Sequence, residues 1–195
     1  MLDKREVAAF FDRLAPSWDE ICTHDPKKIS IILDYAGIEA GLSVLDIACG
    51  TGVLFPYYLA RDVKQITGVD ISPKMIEQAA AKYADPRIRL LCADIETMAW
   101  DELFDCCVIY SAWPHFGRPE SVIAGLAKSL RPGGRLTVAH SESREAINGR
   151  HREHAAAVSV PLVPPEELAA LLAPFFTVDT AFANEEIYVV SGVRQ

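Results

Sequence analysis

The sequence predicts an α/β fold, a doubly wound, mostly parallel sheet of seven strands with helices before it and an antiparallel hairpin at its end. Three observations predict it. From residue 42 onward short apolar runs alternate with helical periodicity, the pattern of βαβ units. The fourth run, residues 104–110, is almost wholly apolar, as a strand buried on both faces should be. The last two runs, residues 175–182 and 187–193, are joined around Asn184 and read as a hairpin.

Each element follows in order. Residues 1–35 read as helical, because Val7, Phe10, Phe11 and Leu14 recur at i, i+3, i+4 and i+7. That apolar stripe must pack on something. Residues 42–47 are the first strand, ending in an acid and a glycine-rich turn, and 53–61 suit a helix. Residues 65–70 are the second strand; Ser72 and Pro73 then supply the N-cap and first residue of a helix to about position 83. Residues 88–91 and 104–110 are strands three and four. A helix over 119–130 closes in the turn Arg131-Pro132-Gly133-Gly134, which leads into a strand over 135–140. Residues 143–154 and 165–172 look helical before the final hairpin.

Composition narrows the function. The chain has 195 residues and a mass of 21.4 kDa, a single-domain size that removes roughly 70% of the unfolded surface from water. Half the residues are apolar and charges are spread along the chain, which excludes a largely disordered protein. The net charge of −8 argues against a sequence-blind grip on nucleic acid, which needs an excess of Lys and Arg. No apolar run approaches the ~18 residues of a membrane span, and the opening Met-Leu-Asp-Lys-Arg-Glu lacks the apolar stretch of a secretory signal. With five cysteines, an odd count, the expectation is a cytoplasmic protein with reduced thiols.

In an open α/β sheet, ligands bind beyond the carboxyl ends of the strands. The first such edge is Asp46-Ile47-Ala48-Cys49-Gly50-Thr51-Gly52, where Gly50 and Gly52 let the backbone turn sharply and approach a ligand. Eighteen residues beyond Gly52, the second strand ends in Asp70, whose carboxylate can accept both hydroxyls of a ribose. A nicotinamide site would place a small residue where Phe55 stands, and Asp46 makes poor sense beside a pyrophosphate. It makes good sense beside a cationic amino group.

Four segments, Leu45-Asp46-Ile47-Ala48-Cys49-Gly50-Thr51-Gly52, Val69-Asp70-Ile71-Ser72, Ala93-Asp94-Ile95 and Leu130-Arg131-Pro132-Gly133-Gly134-Arg135-Leu136, carry a resemblance. In this order and spacing they resemble the signatures of class I S-adenosylmethionine (SAM)-dependent methyltransferases, whose fold is Rossmann-like. The segment Phe11-Asp12-Arg13-Leu14-Ala15-Pro16-Ser17-Trp18-Asp19 is similar, more loosely, to the ubiquinone/menaquinone C-methyltransferase branch, which usually has Tyr in place of Trp18.

The resemblance implies a cofactor site for SAM and its product S-adenosylhomocysteine. Asp46 would hold the methionine end, directly or through water, with Ala48, Cys49, Gly50 and Gly52 along its backbone. Asp70 would take the ribose hydroxyls, Ile71 and Met75 would sandwich the adenine, and Asp94 would accept its exocyclic amine, with Ile95 donating a main-chain N–H. Tyr110 and Ser111 would border the sulfonium, and Trp18 would close over it. One domain over 1–195 is expected: a helical cap (1–40), a cofactor-binding core (41–140), a substrate-side insertion (141–165), and a final helix and hairpin (166–195).

Methyl transfer requires alignment and, for a protonated nucleophile, a base. His115, after strand four, and His140, at the end of strand five, are the candidates. Strand four lacks the Asn/Asp-Pro-Pro-aromatic run of enzymes methylating nucleic-acid bases, the acidic pair of protein-arginine enzymes and the Asp and Asn ligands of metal-dependent catechol enzymes. A small acceptor, apolar or aromatic and methylated at C, O or S, is therefore expected, with no metal and no nucleic acid. A SAM-binding sensor without turnover is the alternative. His151 and His154 on one helical face are read as an exposed mixed-charge surface, not a metal site. Arg144, Arg150 and Arg152 are candidates to meet an anionic substrate. Cys106 and Cys107 are read as core, and Trp113 and Phe116 as apolar surface of the lid.

Overall fold

Val44, Leu45 and Ile47 are fully buried, so the strand they share, β1 (Ser43–Ile47), must be covered on both faces. It pairs in parallel with β2 (Gln65–Asp70) on one side and β4 (Phe104–Tyr110) on the other, in registers that set Asp46 beside both Gly68 and Val108. β3 (Ile88–Cys92) extends the sheet beyond β2, and β5 (Leu130–His140) extends it beyond β4. Two antiparallel strands, β6 (Phe176–Ala183) and β7 (Tyr188–Arg194), complete the order β3-β2-β1-β4-β5-β7-β6. The chain is described as a computed structural model over residues 2–100 and 103–195. Met1, with which the predicted helical segment begins, lies outside the described residues.

The direction of winding reverses between β1 and β4, so the crevice for a ligand opens beyond Ile47 and Tyr110. Two buried layers hold the sheet. One packs Leu45, Ile47, Ile109 and Val138 against α6 (Pro119–Ser129) and α8 (Pro165–Leu172). The other packs Val44, Val108 and Ala139 against α3 (Pro26–Tyr35), α4 (Phe55–Ala60) and α5 (Pro73–Lys82). Cys106 and Cys107 face opposite layers, as buried thiols acting as small hydrophobes.

Three boundaries differ from the sequence reading. The strand after α6 starts at Leu130, before the turn, because Phe104 pairs with Leu130 and the ladder resumes at Cys106 with Arg135. Residues 131–134 bulge out opposite the single residue Asp105. Gly134 permits this, since a Cβ there would lie 2.9 Å from the Arg131 carbonyl oxygen. The helix after the glycine loop begins at Phe55, two residues late, because residues 51–54 are spent on turns. The N-terminal segment breaks into α1 (Lys4–Leu14), a 3₁₀ turn (Ala15–Ser17), α2 (Trp18–Ile21) and α3, because Pro16 and Pro26 each restart a helix at its first turn.

The predicted stripe of α1 does find partners. Val7 is buried against Ala155 and Val158, with Phe10, Phe11 and Ile71 around it. Three acids pin this cap to the core. Asp12 Oδ1 accepts Ser72 Oγ at 2.6 Å, Asp19 accepts Thr51 Oγ1 at 2.5 Å and Lys82 Nζ at 2.6 Å, and Glu96 receives Lys4. The loosely matched Asp12-to-Asp19 motif thus works in this chain as a pair of fasteners. Trp113, expected on the lid, is instead core, because the 3₁₀ turn after β4 points it at α6; Phe116 stays on the cavity side.

Candidate active site

The strand ends converge on one cavity of about 290 Å³. Its floor is the turn after β1, where Ala48 and Gly50 both take left-handed backbone (φ 53° and 55°). Across the crevice Ser111, directly after β4, does the same at φ 54°, its N–H given to the Ala139 carbonyl at 2.8 Å. Left-handed backbone costs a non-glycine residue roughly 1–2 kcal/mol, and here two such residues face each other over the crevice.

Twelve of the fifteen residues expected from sequence line this cavity: Trp18, Ala48, Cys49, Gly50, Asp70, Ile71, Met75, Asp94, Ile95, Tyr110, Ser111 and His115. The other three do not. Asp46 is 2% exposed, behind the floor, with its Oδ2 buried and unpartnered; burial, then the nearby Asp70, pushes its carboxyl well up from the usual range. Gly52 serves packing instead. At φ 84°, a Cβ would meet the Phe55 ring at 2.6 Å, and one on Gly68 would meet the same ring at 2.7 Å. His140 is sealed under the sheet end, its ring 5.9 Å from that of Tyr188 and its Nε2 without a partner. Burial above all, helped by His151, His115 and Arg150, holds it down to about 3, so it is a neutral core imidazole.

Asp70 is nearly encased. Its Oδ2 accepts the Gly50 N–H at 2.9 Å and its Oδ1 the Ser72 N–H at 2.8 Å. Burial outweighs these bonds and raises its carboxyl to about 6. Asp94 sits at the next strand end and caps its own turn through the Glu96 N–H at 3.0 Å. Ser72 caps α5 through the Met75 N–H at 3.1 Å, which sets Met75 buried on the cavity wall.

The opposite wall is more polar than an apolar acceptor predicts. His115 gives its Nδ1 proton to the Val158 carbonyl at 2.8 Å, so its Nε2 keeps a lone pair. The ring stands edge-on to Phe11 at 4.9 Å and 5.0 Å from the ring of His151. Burial lowers it to about 4. Beyond it, Glu142 and Arg150 form a two-bond ion pair, 2.8 and 2.5 Å. Of the three arginines expected to meet a substrate, only Arg150 reaches the cavity. His154 faces solvent beside Glu153, and no metal-holding cluster occurs among the described residues.

Sequence reasoning missed His24, Cys22 and Glu142, all on the cavity wall. His24 lies between α2 and α3 and bonds Tyr110 Oη through Nδ1 at 2.9 Å. It belongs to no motif. The only sequence signal was its place within the segment expected to form the lid.

Residues 45–138 match the family model described as a methyltransferase domain. The malonyl-acyl-carrier-protein O-methyltransferase of Anoxybacillus flavithermus is 32% identical over 137 residues, which are 70% of this chain and 52% of that protein. The ubiquinone biosynthesis O-methyltransferase of Coxiella burnetii is 31% identical over 143 residues, 69% of this chain and 61% of that protein. The chain therefore spans about half the length of the first relative and about three fifths of the second. Among solved structures, a chain of the complex between the Haloferax volcanii Trm112 methyltransferase activator and a methyltransferase superposes with a TM-score of 0.80. It is 17% identical, over 96% of this chain and 97% of that one, a likeness of fold.

Proposed function

We propose that this chain, which belongs to the class I SAM-dependent methyltransferases, moves the methyl group of SAM to a hydroxyl oxygen of a small molecule. The carrying observation is the two-sided cavity: the glycine loop, Asp70 and Asp94 on one wall, His115 with a lone pair on the other. Both relatives described above are O-methyltransferases, which favours oxygen over carbon or sulfur.

The chain's own groups fit the cofactor. Each oxygen of Asp70 takes one backbone N–H and retains capacity for a ribose hydroxyl. Ile71 and Met75 would flank the adenine, Asp94 would accept its exocyclic amine while the Ile95 main-chain N–H donates to the ring, and Trp18 lies over Gly50 of the glycine loop. The left-handed turn at Ala48 and Gly50 holds main-chain groups toward the amino-acid end. The unpartnered buried Asp46 Oδ2 fits a cationic ammonium reached through an intervening group. When bound, SAM supplies a methyl carbon made electrophilic by its sulfonium. His115, neutral above about pH 4, offers its Nε2 lone pair to a second polar group of the acceptor and so would orient the molecule with its hydroxyl oxygen toward the methyl carbon.

Calorimetric titration with SAM, S-adenosylhomocysteine and NAD in parallel tests the reading. Saturable binding of the first two and none of NAD is expected, followed by S-adenosylhomocysteine release with phenols or carboxylic acids but not with thiols. No binding of SAM, or binding of NAD alone, overturns it.

A further inference from the structure

Tyr110 Oη donates to Ser141 Oγ at 2.7 Å, so its single proton is committed there. Its bond of 2.9 Å to His24 Nδ1 must then run the other way, with His24 as donor. His24 therefore carries its proton on Nδ1 and keeps a lone pair on Nε2, the same tautomer as His115 across the cavity. Three separate elements meet in this chain: the α2–α3 connection, the end of β4 and the residue after β5.

His24 also lies on a boundary. It lines the cavity and equally a neighbouring cleft of about 420 Å³ formed with Asp19, Thr51, Pro56, Tyr57 and Lys82. Asp19 and Pro56 are exposed, so this cleft faces solvent. His24 thus stands at the cavity wall that is nearest to this solvent-facing cleft.

We propose that His24 is the catalytic base, taking the proton of the acceptor's hydroxyl on Nε2 and giving it up from the same atom to solvent once the methylated product has left, with Tyr110 as the positioning residue that fixes its tautomer. The inference rests on the hydroxyl-acceptor reading above. The O–H pair stays on the acceptor oxygen and forms the new bond to the methyl carbon. The pair of the carbon–sulfur bond leaves with sulfur, and the proton resides on His24. Burial and Arg150 lower His24 from its ordinary value, while Glu142 and Asp19 oppose them; His115, enclosed more deeply, is pushed by burial to about 4.

Two readouts test this. In the ¹⁵N-labelled protein with S-adenosylhomocysteine, long-range imidazole spectra should show His24 protonated on Nδ1 and titrating at higher pH than His115. An Nε2-protonated His24, or one titrating below His115, overturns the proposal without touching the cofactor reading. Tyr110→Phe should then release His24 into a tautomer mixture, which a purely structural tyrosine would not do. With SAM and 4-methylphenol as the probe acceptor, whose hydroxyl keeps its proton at neutral pH as a tyrosine does, His24→Ala should lower kcat by about 100-fold or more. It should also erase the acid limb of the kcat–pH profile and leave SAM affinity within twofold. Unchanged kcat in that variant sinks the assignment, whereas failure of the wild type to bind SAM by calorimetry strikes the methyltransferase reading instead.

Discussion

The Asp70 carboxylate accepts the Gly50 N–H at 2.9 Å, joining the end of β2 to the turn after β1 across the floor of the cavity. Because its other oxygen holds the Ser72 N–H, one side chain sets both the glycine loop and the start of α5. Removing it leaves two backbone donors without their acceptor, each worth about 1–3 kcal/mol when buried. Asp70→Ala should therefore lose most SAM affinity and also lower stability, while Asp70→Asn, which keeps an acceptor oxygen, should lose affinity with a smaller drop in Tm. Unaltered affinity in both variants would remove Asp70 from the cofactor site.

The same carboxyl makes an unusual pH prediction. Its folded value, about 6, lies above the ordinary carboxylate value of 3.8, so the folded state binds this proton more tightly than the unfolded chain. Its contribution is complete below about pH 4 and fades as pH rises through 6, by up to about 3 kcal/mol. The Tm difference between wild type and Asp70→Asn should therefore drift against the wild type between pH 4 and 6.5. SAM affinity should rise over the same window, because ribose hydroxyls donate to the ionised form. A flat affinity across that window contradicts the assignment.

His140 acts in the opposite direction. Held down to about 3, it is neutral when folded and charged when unfolded below its ordinary value. Stability from this group is full above pH 6.5 and lost as pH falls toward 3. His140→Phe should move the acid-unfolding midpoint to lower pH and leave SAM affinity within twofold. A loss of affinity above tenfold would return His140 to the site.

Gly52→Ala forces a Cβ to 2.6 Å from the Phe55 ring at φ 84°. Overpacking of a well-packed core costs typically 1–3 kcal/mol, with the left-handed penalty added. Urea unfolding should show that loss, and Phe55→Leu should restore part of it in the double variant. Additive losses would show that the ring is not the obstacle.

Asp19 is half-exposed, so cutting its ties to Thr51 and Lys82 should change stability by about 1 kcal/mol or less. The strap over the cavity is a different matter. Asp19→Ala should speed cofactor dissociation several-fold in stopped flow. An unchanged off-rate would show that α2 is held by the Trp18–Phe11 contact alone.

The core of the fold was legible because its signals are local. Apolar runs, the Ser72-Pro73 cap and the glycine loop each act within a few residues, and every strand except β5, which starts five residues early, fell within one or two positions of its expected bounds. The bulge at residues 131–134 was not legible, since it depends on the ladder skipping from Phe104–Leu130 to Cys106–Arg135, with Asp105 holding Arg131 by its side chain. One wall of the cavity was readable as a place of convergence, because its motif residues sit at strand ends. The opposite wall was not, because His24, Ser141, Glu142 and His151 come from the cap and from the segment after β5, joined only by folding. His140 shows the limit of inference from strand position: the last residue of β5 points under the sheet, and Ser141, one residue on, reaches the cavity.

Four polar ties of the cap span long stretches of chain: 32 residues for Asp19–Thr51, 60 for Asp12–Ser72, 63 for Asp19–Lys82 and 92 for Lys4–Glu96. Such ties close large loops, and they can form only after the partners that follow β1, β2 and β3 are in place. α1 and α2 are thus the last part of the molecule to settle and the first to detach. In amide exchange they should form a separate, low-energy opening unit above a sheet that exchanges only with global unfolding. During synthesis α1 would wait undocked until Ala155 and Val158, against which Val7 packs, have been made.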